Sequence, residues 1–259
     1  LEAKLGACGA RVERLRGGVM TRRLIVIAGP ARSGTTALLR LIMAHPDVRY
    51  AGPDELGTRR SSAKTYESGV FVLGRDQSDE EIREKFQPLL EGEGFVVEKT
   101  PDNVFFIEII KQIFPDAILI CTLRHGLDVV HSVGEARKTF WKSGAPADFR
   151  AACLRWRRAI LASHDAILRH GAVEARYETV FTDFREETKK LFARIGLSID
   201  AHARCVASAL DVAAIGIDGV YRKGEIGEGR RTLSLAEKLV FWRLCGRAAL
   251  RTGYGPFGR

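Results

Sequence analysis

Apolar residues along this 259-residue chain fall into two kinds of run. Short unbroken blocks rich in Ile and Val, such as RRLIVIAG at 22–29 and DAILICTLR at 116–124, read as buried strands. GFVVEK at 94–99, AVEARYE at 172–178 and the shorter DVRYAG at 47–52 read the same way. Between these blocks the apolar positions switch to a helical period. TTALLRLIMAH carries Leu38, Leu39, Ile42 and Met43 on one stripe and stops at Pro46. SDEEIREKFQPLL opens on acidic residues, and Pro88 is expected to kink or end it. DNVFFIEIIKQIF is predicted as a helix capped by Asp102 and closed before Pro115. GLDVVHSVGEARKTF, FRAACLRWRRAILASHDAILRHG, FREETKKLFARIGL and SLAEKLVFWRLCGRAALRTGYG read as further helices.

Strands alternate with helices, and no long linker or repeat interrupts them. That order predicts a single α/β domain, a P-loop-like fold with a central parallel sheet flanked by helices. Residues 22–259 are assigned to it. Residues 1–21 lack sustained periodicity and are read as a loose N-terminal extension, with Met20 a candidate natural start. In such sheets ligands gather at the carboxyl ends of strands. Residues 29–36, those after Glu98, and those from Arg124 onward all stand at such ends and are expected to converge.

Composition changes this picture little. Charged residues make up 28% and apolar ones 46%, as in ordinary globular domains. No run of 18 apolar residues occurs, so no membrane span is expected. The net charge of +9 suits an anionic ligand. The arginines are spread rather than clustered, so no nucleic-acid arm is expected. The five cysteines form no C-x-x-C pair and no metal-ligand spacing with His. Reduced thiols, a cytoplasmic location and no metal site follow as expectations.

The stretch GPARSGTT at 29–36 nearly matches the phosphate-binding pattern G-x-x-x-x-G-K-[ST], but Thr35 stands where the lysine belongs. Gly29, Gly34 and Thr36 are in register. Between a strand and a helix, such a loop offers N–H groups and a helix N-terminus to an anion. Ser33, Thr35 and Thr36 add hydroxyls, and Arg32 adds a permanent charge with a donor fork. A plain strand-to-helix turn would require none of these donors.

A phosphate-loop NTPase places an acidic metal ligand after a second apolar strand. Here AILICTL is followed by Arg124, which repels a metal and attracts a phosphate, and Ser132 comes eight residues later. A third basic stretch, YRKGEIGEGRR, holds Arg222, Lys223 and Gly224. Taken alone it is a solvated loop; taken with Arg124 and Ser132 it becomes a second anion pocket.

These pieces, in this order over roughly residues 23–255, resemble the sulfotransferase family that uses 3′-phosphoadenosine 5′-phosphosulfate (PAPS). GPARSGTT resembles its 5′-phosphosulfate loop, LRHGLDVVHS its 3′-phosphate motif, and YRKGEIGEGR its late R-K-G loop. EKTPDN and RYETVFTDF also stand where that family has them. The resemblance implies PAPS as sulfuryl donor, no metal, and donor contacts from Pro30, Arg32, Ser33, Gly34, Thr35, Thr36, Arg124, Ser132, Tyr177, Arg222, Lys223 and Gly224. Tyr177 would lie near the adenine. Arg32 would stabilise the leaving group, with Lys99 a second cation on the transferring group. Two positions depart from the family's pattern. Pro101 stands where cytosolic members carry a His base, and Ala37 where many stack a Trp on adenine. The stretch MAHPDVRYAGPDELGTR resembles the bacterial and protein-tyrosine sulfotransferase branch, which implies Glu55 as base with Asp54 as rival. His45 and His131 are expected in capping, surface or packing roles, and His125, which follows Arg124, is assigned no nucleotide contact.

The acceptor's class stays open among carbohydrate, phenol, peptide and small natural product. Residues 57–93 and 139–150 are its expected walls, with Phe71, Phe140 and Trp141 as apolar contacts. Two other readings stay open. A degenerate P-loop kinase or NTPase would need Mg²⁺ and an acidic ligand. A nucleotide-binding module without catalysis would lack a working base.

Overall fold

The computed structural model describes residues 21–58, 66–73, 77–141, 144–214 and 225–256. In chain order its elements are β1 (Arg23–Ala28), α1 (Thr35–Met43), β2 (Val48–Tyr50), α2 (Val70–Leu73), α3 (Asp79–Leu90), β3 (Phe95–Lys99), a 3₁₀ turn (Pro101–Phe105) and α4 (Ile107–Ile113). Then come β4 (Ile118–Leu123), α5 (Gly126–Thr139), α6 (Phe149–His170), β5 (Val173–Arg176), α7 (Tyr177–Thr182), α8 (Phe184–Ile195), α9 (His202–Ala214), α10 (Glu228–Thr232) and α11 (Leu235–Arg251).

The strands form one sheet in the order β2-β3-β1-β4-β5, every pair parallel. The chain leaves β1 toward β2 and β3 on one side and later fills β4 and β5 on the other. β1 is therefore the switch point, where a crevice opens at the carboxyl ends. Register sets what meets there: Ile27 lies opposite Lys99, and Ala28 opposite Cys121.

The apolar run of β1 feeds both faces, because successive side chains point to opposite sides. Leu24 and Val26 join Phe86, Ile110 and Leu119 in one core cluster. Ile25 and Ile27 join Leu38, Ile42, Val97 and Phe192 in the other. A third cluster, Leu123, Val130, Trp156, Phe241 and Tyr254, packs α5, α6 and α11 together beyond the end of β4.

Several local expectations change. Asp102 caps no helix: the chain makes a 3₁₀ turn first and α4 starts only at Ile107. The Asp102 carboxylate instead takes both of its 2.7 Å contacts from Arg155 on α6. Pro88 sits inside α3 without ending it, and Ser78 opens that helix with a capping box to Glu81. β5 ends at Arg176, so Tyr177 begins a helix rather than extending a strand. Phe71 is no acceptor wall. It is 2% exposed and stacks on Phe86 in the core, with centroids 5.7 Å apart. Helices α2, α7, α9 and α10 were outside the sequence pattern. No described helix is long and apolar enough to cross a membrane.

Candidate active site

The loop after β1 is tied down from inside. Gly29 N–H donates to the Pro101 carbonyl at 3.1 Å, and Ser33 N–H donates to the Pro30 carbonyl at 3.2 Å. The Ser33 hydroxyl lies 2.5 Å from Thr122 Oγ1 on β4, and Thr122 donates in turn to the Ala28 carbonyl at 3.3 Å. A Cβ at Gly29 would lie 2.4 Å from Thr122 Oγ1, so only glycine lets the loop press this closely on β4. Gly34, at φ +94°, caps α1, and a Cβ there would come within 2.9 Å of the Tyr177 ring. Arg32 also holds a left-handed backbone, φ +71°. A non-glycine residue adopts that conformation at a cost of about 1–3 kcal/mol, and such strain gathers at functional positions. Thr35 and Thr36 open α1, Thr35 buried and Thr36 half-buried.

Two cations stand at the switch point. Lys99 ends β3 and is wholly buried, with Nζ 3.2 Å from Glu67 Oε1. Burial pushes its ammonium downward in pKa; Glu67 and then Glu98 oppose this, while Arg32 is near enough to add to the fall. The preceding residue, Glu98, is equally buried. Its carboxylate accepts from Ser68 at 2.6 Å, Thr100 at 2.7 Å and Asn103 at 2.5 Å. Burial raises its pKa against those three donors. Arg32 reaches across to α5, where Nε donates to Ser132 Oγ at 3.2 Å, and its guanidinium lies 5.2 Å from the Phe140 ring. Arg32 and Ser132 thus meet, a hundred residues apart.

The end of β4 supplies the second group. Arg124 is buried, donates to the Arg32 carbonyl at 3.0 Å, and packs its guanidinium 3.9 Å from the centroid of Tyr177. Its Nε is buried without a hydrogen-bond partner among the described residues. A buried cationic donor left open is expected to meet an anion. Tyr177 in turn stacks on Phe181, centroids 4.3 Å apart.

His125 turns away from this pocket. It caps α5 by accepting at Nδ1 from Leu127 N–H, and Nε2 donates to the Gly255 carbonyl at 3.2 Å. Its ring meets Trp242 and Tyr254 edge-on. Burial lowers its pKa. His45 accepts from Asp47 N–H and contacts the Ser198 carbonyl, and His131 lies by Thr232 and Glu228, so both are structural.

Arg222, Lys223 and Gly224 lie outside the described residues. The chain resumes at Glu225, and there Asp128 is decisive. Its buried carboxylate accepts from Gly227 N–H at 2.7 Å and Gly229 N–H at 3.0 Å, pinning the start of α10 to α5. Glu178 makes a similar tie, accepting from His125 N–H at 2.8 Å and from the Tyr254 hydroxyl at 3.0 Å.

Glu55 lies exposed in the turn after β2, where Oε2 accepts from Gly52 N–H at 3.0 Å; Asp54 is exposed beside it. Glu67, Asp128 and Glu178 were not read from the sequence. Glu98 carried a signal, since a carboxylate inside the apolar run FVVEK must find buried donors.

With this geometry in view, residues 25–201 match the model of the family described as "Sulfotransferase family". Over 150 residues the chain is 29% identical to protein-tyrosine sulfotransferase 1 of Danio rerio, covering 53% of this chain and 42% of that protein. It is also 29% identical over 177 residues to an uncharacterized protein of Aquifex aeolicus (strain VF5), covering 61% of this chain and 23% of that one. The chain thus spans less than half the length of these relatives. Among solved structures, a Mycobacterium avium sulfotransferase superposes with a TM-score of 0.57 at 15% identity, covering 92% of this chain and 79% of that one. A mouse sulfotransferase complexed with PAP superposes at 0.59 and 16%, covering 90% and 84%. At such identities the structural likeness establishes the fold alone. The family match spans about two thirds of the residues and the strand ends just described: the chain belongs to the sulfotransferase family.

Proposed function

We propose that this enzyme moves a sulfuryl group from PAPS to a hydroxyl or amine of an acceptor. The observation that carries the reading is Arg124: a buried guanidinium with an open Nε, stacked on Tyr177, at the strand end where an NTPase would hold its metal. The donor brings an activated sulfuryl group on a phosphate leaving group. Pro30, Arg32, Ser33, Gly34, Thr35 and Thr36 surround its 5′ end in this reading. Arg124, Ser132, Arg222, Lys223 and Gly224 take the 3′-phosphate, and Tyr177 lies by the adenine. The PAP named with the mouse structure agrees with such a donor. Arg32 and Lys99 supply positive charge where the leaving oxygen becomes anionic. Glu55, on the turn after β2, accepts the acceptor's proton. Phe140 and Trp141 remain candidate acceptor contacts. The buried, unbridged cysteines Cys121, Cys153, Cys205 and Cys245 suit a reducing, cytoplasmic setting.

Thermal shift with 3′,5′-adenosine bisphosphate, against ATP with Mg²⁺, tests the reading. A ligand at about 100 times its Kd adds about 2.7 kcal/mol, several degrees in Tm for a domain of this size. The bisphosphate is expected to give that shift without metal. A larger shift from ATP with Mg²⁺ overturns the reading in favour of a kinase or NTPase.

A further inference from the structure

Adjacent residues Glu67 and Ser68 clasp adjacent residues Lys99 and Glu98. Glu67 Oε1 meets Lys99 Nζ at 3.2 Å, and Ser68 Oγ donates to Glu98 Oε1 at 2.6 Å. Gly69 N–H extends the clasp by donating to Thr100 Oγ1 at 3.0 Å, and Val70 N–H donates to Ser68 Oγ at 3.2 Å. The segment before α2 is thereby fastened across the end of β3. Ser68 and Glu98 are fully enclosed, whereas the Glu67 side chain keeps about a third of its surface open, 35%. Lys99 has none. One partner of this ion pair is sealed in and the other is partly open to solvent.

That asymmetry has a chemical meaning. An ammonium cut off from water loses its proton unless anions hold it there. Arg32, the other cation of the site, works against Lys99. Glu98, on the same strand, is engaged by three donors. Glu67 places a carboxylate in hydrogen-bond reach of Nζ, on a side chain that solvent can receive. We infer that Glu67 is a positioning residue, the counter-ion that keeps Lys99 protonated before donor binding and yields it to the arriving sulfuryl group. The second half of this inference rests on the PAPS reading; the first half does not. In it Glu67 is distinct from the proton acceptor: it sets the charge of Lys99.

The test is a pH titration of Lys99 by NMR in protein labelled with ¹³C at lysine Cε, the signal assigned by its loss in Lys99→Arg. In the ligand-free wild type, Lys99 is expected to be protonated at neutral pH. Glu67→Gln should lower its midpoint by roughly 1–3 pH units. Glu67→Asp, with the charge drawn back by one methylene, should fall between the two. PAPS should then return the Glu67→Gln midpoint toward the wild-type value, because the donor replaces the missing negative charge. An unchanged midpoint in ligand-free Glu67→Gln overturns the counter-ion role; should that variant not fold, an unchanged midpoint in Glu67→Asp does so. A wild-type Lys99 already neutral at pH 7 overturns it too. If the ligand-free arm behaves as expected but the wild type binds neither bisphosphate nor PAPS, the donor reading fails and the hand-over fails with it, while the counter-ion role stands. If PAPS binds Glu67→Gln without raising the midpoint, the hand-over alone is overturned.

Discussion

The guanidinium carbon of Arg124 stands over the Tyr177 ring, 3.9 Å from its centroid. The contact presets the side chain, so less freedom is lost when an anion arrives. Trp156 adds to this by donating its indole N–H to the Arg124 carbonyl at 3.2 Å. Arg124→Ala is expected to weaken bisphosphate binding by about 1.5–3 kcal/mol, the range of a charge-assisted hydrogen bond. Adenosine 5′-phosphosulfate, which lacks the 3′-phosphate, should lose far less. Titration calorimetry with both ligands decides the matter, and equal losses would remove Arg124 from the 3′-phosphate site.

Arg32 bonds Ser132 and holds a strained backbone. Its charge is expected to matter most as the leaving oxygen becomes anionic. Arg32→Ala should cut turnover by roughly 10²–10³, and Arg32→Lys should restore much of it. Steady-state kinetics separates this from a binding role, for which KM for the donor would rise while kcat held.

Glu55→Gln keeps the shape of the side chain and removes its basicity. Turnover with a hydroxyl acceptor should drop by roughly 10²–10⁴, with bisphosphate affinity unchanged. Asp54→Asn should do much less. Should the Asp54 variant be the inactive one, the base is the neighbour.

Asp128→Ala leaves two N–H groups, of Gly227 and Gly229, without their acceptor. A loss of about 1.5–3 kcal/mol in stability is expected for bonds to a charged group, seen as a Tm lower by several degrees. Bisphosphate affinity should fall along with it, because the basic stretch at 222–224 precedes the pinned turn. Unchanged affinity in a variant that folds would separate this turn from the donor site.

Burial lowers the pKa of His125 and, less deeply enclosed, of His202. A folded-state value below the ordinary 6.5 or so means that the unfolded chain takes up protons first. Stability is therefore full above about pH 6.5 and is lost as pH falls through the folded-state values. Protonating His125 also removes the acceptor that caps α5. His125→Asn retains a capping oxygen. Denaturant titrations between pH 5 and 8 should show a shallower acid loss in that variant; an identical slope would clear His125 of the effect.

Much of this architecture was legible because its period is simple. Unbroken Ile and Val runs mark β1, β3 and β4, and in the structure they are the central strands. The short edge strand β2 shows only as the brief stretch DVRYAG, of which three residues form the strand. What escaped had a tertiary cause. Asp102 looks like a helix cap until Arg155, 53 positions away, claims its carboxylate. Tyr177 looks like a strand residue until Arg124 and Phe181 draw it into a stack. Motif spacing brought Arg32, Lys99, Arg124 and Ser132 onto one list; the first three follow or end β1, β3 and β4, and Ser132 on α5 meets Arg32. Glu67 and Asp128 belong to no short pattern, since their partners are set by how loops fold back over the sheet.

The cluster that closes over the end of β4 draws on residues far apart along the chain. Leu123 and Trp156 come first, whereas Phe241 and Tyr254 come well after the last strand. A ribosome adds roughly 5–20 residues per second, so this order is also an order in time. All strands of the described sheet have been made before Phe241 and Tyr254. During synthesis the nascent chain passes through a stage with a finished sheet and an incomplete third core cluster. The helices α5 and α6 gain their α11 partner only after that stage.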